Sequence, residues 1–122
     1  MAAILLVEDE PGIRLAIRGL LGRDGYEIQV ANDAEEAIHA IGAQAFDLVL
    51  TDFSLPNGGT GIDVALCSRE HQPDTPVVLI TAFGSDQVAQ QATDAGVFDY
   101  VPKPFNNDDV RRVVRRALGR GT

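Results

Sequence analysis

The stretch Ala3-Ile4-Leu5-Leu6-Val7-Glu8-Asp9-Glu10 decides the fold, because five consecutive apolar residues give way at once to three acids. A short apolar run without polar alternation marks a strand buried on both faces, which requires a parallel sheet covered by helices on either side. Leu48-Val49-Leu50 and Val77-Val78-Leu79-Ile80 read the same way. These three are the expected central strands. Tyr26-Glu27-Ile28-Gln29-Val30 alternates polar with apolar residues, and Val97-Phe98-Asp99-Tyr100-Val101 carries an acid in its middle, so both are expected at sheet edges.

Helical spacing fills the intervals. Ile13, Ala16, Ile17, Leu20 and Leu21 recur on one face after Pro11, and Gly22 and Gly25 close the segment. Asp33-Ala34-Glu35-Glu36 has capping-box spacing ahead of Ala37, Ile38 and Ile41. Ile62, Ala65 and Leu66 mark a third helix, and Val110, Val113, Val114, Ala117 and Leu118 mark the last. The fourth, from about Ser85 to Ala95, has Val88 as its one large aliphatic residue, which makes it the most weakly anchored. Five βα units with these edges and right-handed crossovers predict an α/β protein, a single doubly wound (βα)5 domain with a flavodoxin-like parallel sheet of order 2-1-3-4-5.

A chain of 122 residues, 45% hydrophobic, supports one core, so one domain is expected over residues 1–122. No apolar run approaches the ~18 residues that span a bilayer, and no basic region precedes the first apolar run, so a cytoplasmic protein without a membrane partner is expected. Cys67 has no second cysteine to pair with, and its place beside Ala65 and Leu66 predicts a buried thiol. Eighteen acids against ten bases give a net charge of -8, which argues against direct binding of nucleic acid. Arg111, Arg112, Arg115, Arg116 and Arg120 gather on the last helix, where a solvated face complementing the helix C-terminus accounts for them. His39 and His71 lie far in sequence from the acids and are expected on exposed helix surfaces.

In a sheet of this order ligands bind at the carboxyl ends of the strands beside the reversal between strands 1 and 3. Strand 1 runs into Glu8-Asp9, strand 3 into Asp52, strand 4 into Thr81, and strand 5 into Lys103 through Val101-Pro102. Three converging carboxylates repel one another unless a cation neutralises them. Oxygen donors without His or Cys select Mg²⁺ (or Mn²⁺), and Mg²⁺ held by few protein ligands takes a phosphoryl oxygen as partner. Lys103, the only lysine, supplies a positive charge for a phosphoryl group, and Thr81 offers a hydroxyl. Set at a polar rim, the lysine is expected to matter little for folding. An Asp before Ser54 and Pro56 is otherwise an ordinary turn former; its convergence with Glu8 and Asp9 is what singles it out.

Glu8-Asp9, then Asp52 followed by Leu55-Pro56 and Gly61, then Thr81-Ala82, then Lys103-Pro104-Phe105, in this order and at these separations, resembles the receiver domain of two-component response regulators. The segment from Phe98 to Phe105 is most similar to receivers of the nitrogen-regulator subfamily. The resemblance implies that Asp52 accepts a phosphoryl group from a sensor histidine kinase or a histidine phosphotransfer protein. It implies Asp9 as a direct Mg²⁺ ligand, Glu8 acting mainly through water, and the Ser54 backbone carbonyl completing the protein's share. Thr81 and Lys103 match the family's hydroxyl and lysine, and Tyr100 its switch aromatic. Ser54 and Phe83 occupy the two positions that tune the lifetime of the aspartyl phosphate in such proteins. The implied output is a domain or protein reading the surface from strand 4 to helix 5, with a homodimer formed on phosphorylation as one option. Such a domain catalyses only its own phosphorylation and dephosphorylation. The loop Pro56-Asn57-Gly58-Gly59-Thr60-Gly61 departs from the pattern by about one extra residue.

Other readings fit less well. A haloacid-dehalogenase-type phosphatase carries its nucleophile in an Asp-x-Asp motif after strand 1, where this chain has adjacent Glu8-Asp9 and no room for a cap. A flavodoxin-like electron carrier needs a hydroxyl-rich loop there, and Glu8-Asp9-Glu10-Pro11-Gly12 would repel its cofactor phosphate. A phosphate-independent pseudo-receiver sits poorly with the full acid set. A stand-alone regulator and a receiver from a longer protein both remain open.

Overall fold

The computed structural model describes residues 1–82 and 86–119. Its elements are β1 (Ala3–Val7), α1 (Pro11–Arg23), β2 (Glu27–Ala31), α2 (Ala34–Ala43), β3 (Leu48–Asp52), α3 (Gly61–His71), β4 (Val77–Thr81), α4 (Asp86–Asp94), β5 (Asp99–Pro102) and α5 (Asn107–Gly119). All four strand pairings are parallel, in the order β2-β1-β3-β4-β5. The continuous apolar runs lie in the middle and the polar-spaced runs at the edges, as their patterns predict. Every residue of β3 and β4 is buried, whereas β2 alternates exposed with partly buried residues until Ala31.

Successive side chains of a strand point to opposite faces, so each central strand feeds two cores. Ile4, Leu6, Leu48, Leu50, Val78 and Ile80 pack with Ile17, Leu20 and Leu21 of α1 and with Val110, Val113, Val114 and Ala117 of α5. Leu5, Val7, Val49 and Val77 pack on the other face with Ala37 and Ile41 of α2, Val64 and Ala65 of α3, and Ala95 just past α4. Among the described residues of α4 only Ala92 is buried, in line with its expected weak anchoring. Ser85, the expected start of that helix, lies outside the described residues.

Local chemistry sets the helix starts. Pro11 occupies the first turn of α1. Asp33 caps α2 by accepting from the Glu36 amide at 2.8 Å, but the reciprocal arm of the box reaches the Asn32 amide instead, at 3.1 Å. A complete box forms at α3, where the Thr60 hydroxyl accepts from the Ile62 amide and the Asp63 carboxylate accepts from the Thr60 amide.

Several sequence expectations need correction. Ile38 and Leu66 are exposed, because neighbouring Ala37, Ile41, Val64 and Ala65 already fill the seam between helix and sheet. Ala16 likewise faces solvent, and Cys67 is only partly buried at the edge of the second core. The last strand begins at Asp99, not Val97, because the Val97 amide closes onto the Ala92 carbonyl at the end of α4. His39 and His71 are exposed as expected.

Candidate functional site

The sheet register brings the polar residues at the strand ends together. Val7 lies opposite Thr51, Asp52 opposite Ile80, and Thr81 opposite Pro102, so Glu8, Asp52, Thr81 and Lys103 follow one another around the carboxyl rim. Burial differs sharply among them. Glu8 is fully buried, Asp52 is 5% exposed and Thr81 is 3% exposed, whereas Asp9 faces solvent. Glu8, Asp9 and Asp52 can each place a carboxylate oxygen within 4.8 Å of the others.

The charges in this cluster are unevenly balanced. Lys103 Nζ donates to Asp52 Oδ2 at 2.9 Å, and the Ser54 amide approaches Asp52 Oδ1 at 3.3 Å. Glu8 Oε1 accepts from the Glu10 amide at 3.1 Å, but Glu8 Oε2, buried, has no hydrogen-bond partner among the described residues. Burial first, and the Asp52 carboxylate second, push the Glu8 carboxyl up to about 7. Burial alone would lower the Lys103 ammonium, but Asp52, Glu8 and Glu10 more than offset it and hold the pKa above its ordinary value. The rim lysine is thus paired with an almost buried carboxylate. The Lys103 amide also donates to the Thr81 carbonyl at 2.8 Å, which fixes the turn out of β5 against the end of β4.

An orphaned buried carboxylate oxygen beside two further carboxylates is a donor set made of oxygen alone, with excess negative charge. Its chemistry fits a hard divalent cation such as Mg²⁺. The backbone approaches closely here. A Cβ at Gly61 would stand 2.4 Å from the Asp52 carbonyl oxygen and 2.7 Å from Leu79 Cδ1, so only glycine lets α3 start this near the end of β3.

The remaining predicted residues are placed differently. Ser54 is exposed two residues beyond Asp52, at the base of the β3–α3 loop. Tyr100 lies on β5 with 46% of its surface exposed, pointing away from the core. Phe83 lies outside the described residues. Sequence reasoning passed over Thr51, whose buried hydroxyl donates to the Asp52 carbonyl at 3.0 Å; a polar residue ending an apolar run just before Asp52 was the available signal.

This geometry has known relatives. The family model of the response regulator receiver domain matches residues 4–115. The chain belongs to that family. The receiver domain is 40% identical over 114 residues to the response regulator protein PilR of Pseudomonas aeruginosa, covering 93% of this chain and 25% of PilR. It is 36% identical over 119 residues to the nitrogen assimilation regulatory protein NtrX of Azorhizobium caulinodans, covering 94% of this chain and 26% of NtrX. It thus spans about a quarter of the length of either regulator. The solved structure of the response regulator TrrA from Thermotoga maritima in complex with Mg²⁺ and BeF superposes with a TM-score of 0.87 at 35% identity, covering 97% of this chain and 100% of that one. The receiver domain is accordingly a two-component signalling module. No helix among its described residues is long and apolar enough to cross a membrane.

Proposed function

We propose that this receiver domain accepts a phosphoryl group on Asp52 from the phosphohistidine of a sensor histidine kinase or a histidine phosphotransfer protein. The observation that carries the reading is the juxtaposition of the Asp52 carboxylate with the Lys103 ammonium at 2.9 Å and with Glu8 and Asp9. Asp9, Asp52, the Ser54 carbonyl and, mainly through water, Glu8 would hold Mg²⁺ or Mn²⁺. The metal, when bound, offsets the charge of the phosphoryl oxygens during in-line transfer.

A carboxylate oxygen of Asp52 attacks phosphorus, the bond from phosphorus to the donor imidazole nitrogen breaks, and the imidazole leaves with the electron pair. Lys103 shifts its hydrogen bond toward the incoming phosphoryl oxygens, and the Thr81 hydroxyl donates to another. The inward pull on Thr81 opens space for Tyr100, so the surface from β4 to α5 repacks for an output domain, an output protein or a second copy of the chain. Asp52 is the only phosphoacceptor in this reading, and the catalysis is confined to the domain's own phosphorylation and dephosphorylation. Ser54 and Phe83 are assigned to the lifetime of the aspartyl phosphate on their sequence positions alone, and Phe83→Ala, which removes the aromatic bulk at the second of them, is expected to shorten it.

Incubation with Mg²⁺ and acetyl phosphate, followed by intact mass, tests the assignment. The mass is expected to rise by one phosphoryl group in the parent and not in Asp52→Asn. A label that persists in that variant and maps to His39 or His71 would overturn it.

A further inference from the structure

The extra residue in the β3–α3 loop has a structural counterpart. Ser54 and Thr60 form an antiparallel bridge that closes the loop at its base. At its tip Asn57 and Gly58 take left-handed conformations, with φ of 66° and 95°. Asn and Gly are the residues that adopt positive φ most readily, so the sequence favours this turn, and its surroundings set where the tip sits. The surroundings here are the first turn of α2. Asn57 Nδ2 donates to Asp33 Oδ2 at 2.9 Å, while Asp33 Oδ1 caps the helix through the Glu36 amide. A Cβ at Gly59 would lie 2.4 Å from Ala34 Cβ, so the loop backbone rests directly on the buried Ala34. Asp33 is itself fixed from behind, because Asn32 donates to Glu36 Oε1 and accepts from Arg14 of α1. A continuous belt runs from α1 through the start of α2 to the loop that carries Ser54.

We infer that Asp33 and Asn57 are positioning residues for the metal and phosphoryl site: their hydrogen bond clamps the β3–α3 loop to the first turn of α2 and so fixes the Ser54 carbonyl. The inference rests on the reading of Glu8, Asp9, Asp52 and the Ser54 carbonyl as the metal site. Neither positioning residue touches the metal or the phosphoryl group. The clamp acts by removing loop conformations in which that carbonyl is turned away, as outer hydrogen bonds do for metal ligands in general.

Four proteins test it: the parent, Asn57→Ala, Asp33→Ser and Asp33→Asn. Serine keeps a helix cap but is too short to reach Asn57. Asparagine keeps the cap and restores the contact once the Asn57 amide turns over to present its oxygen. Calorimetric titration with Mg²⁺ is expected to give dissociation constants about tenfold weaker for Asn57→Ala and Asp33→Ser, and near the parent for Asp33→Asn. Amide hydrogen exchange of residues 54–59 in metal-free protein is expected to quicken in the first two variants and not in the third. Parent-like affinity in Asn57→Ala and Asp33→Ser, or an Asp33→Asn as weak as Asp33→Ser, would overturn the inference. If the parent itself binds no Mg²⁺, the reading of the acid cluster fails, and the exchange rates alone still decide the clamp: equal rates in all four proteins refute it.

Discussion

Helices α4 and α5 stand on either side of β5 in the chain and are held to the sheet in different ways. Helix α5 buries Val110, Val113, Val114 and Ala117, and two of its arginines are tied outward, Arg111 to Asp24 at 2.8 Å and Arg116 to Asp99. Among the described residues of α4 only Ala92 is buried, with Ala95 following just beyond, and the Arg69 guanidinium holds the Asp94 carbonyl from α3 at 3.1 Å. Each fully buried valine contributes on the order of 1.5–3 kcal/mol, so α5 is fastened several times more firmly than α4. On the proposed function, the surface from β4 to α5 thus has one helical wall that resists motion and one that gives way at small cost. On that reading a local charge change at the strand ends is expected to be converted into movement along α4, because few buried contacts are lost there.

The largest test of this asymmetry removes two methyl groups from the firm wall. Val114→Ala is expected to lower stability by about 2–3 kcal/mol in denaturant unfolding, through lost burial and the cavity left behind. A loss below about 1 kcal/mol would mean that α5 is not the firm wall.

Lys103→Ala acts at the point between the walls. With the ammonium gone, Asp52 and Glu8 face each other without their cation, so the metal-free variant is expected to lose about 1–2 kcal/mol. It should stay folded on its α5 contacts, recover part of the loss in Mg²⁺, and show impaired phosphotransfer or impaired switching. A variant that unfolds outright, or that phosphorylates and switches like the parent, contradicts the role given to the lysine. On the yielding wall, Val88→Ala is expected to cost less than about 1 kcal/mol by the same unfolding measurement, since Val88 is only partly buried. A cost equal to that of Val114→Ala would erase the asymmetry.

The smallest effect comes from the ion pair joining α5 to the end of α1. Arg111 holds the Asp24 carboxyl below its ordinary pKa. A depressed folded pKa contributes stability above the unfolded value of about 3.9, and that contribution is lost as pH falls through the folded value. Asp24→Asn should therefore be slightly less stable than the parent at neutral pH, and the difference should close in acid below pH 4. A gap that persists there would assign the effect to packing.

Much of this was legible in the chain because the signals were local and redundant. The run from Ile4 to Val7 does not alternate, which marks it as central, and Glu8-Asp9 at its end locates the acid cluster of the candidate site by topology alone. The single valine of α4 announced the weak wall. The less legible features depended on which competing residue won a contact. Ile38 and Leu66 have helical spacing like true core residues, yet smaller or better placed neighbours took the interface. The pairing of Lys103 with Asp52 and the bond from Asn57 to Asp33 join residues 51 and 24 positions apart, and nothing in either local sequence specifies them.

Within the proposed repacking of the surface from β4 to α5, chemistry at Asp52 is expected to move α4 and β5 most and the buried turns of α5 least. Amide hydrogen exchange of the metal-loaded protein, with and without beryllofluoride as a phosphoryl mimic, tests it most directly. The largest changes are expected around Thr81, Val88 and Tyr100, with α1, α2 and the buried turns of α5 nearly unaffected. Changes confined to residues 8–10 and 52–60, with α4 and β5 unmoved, would contradict it.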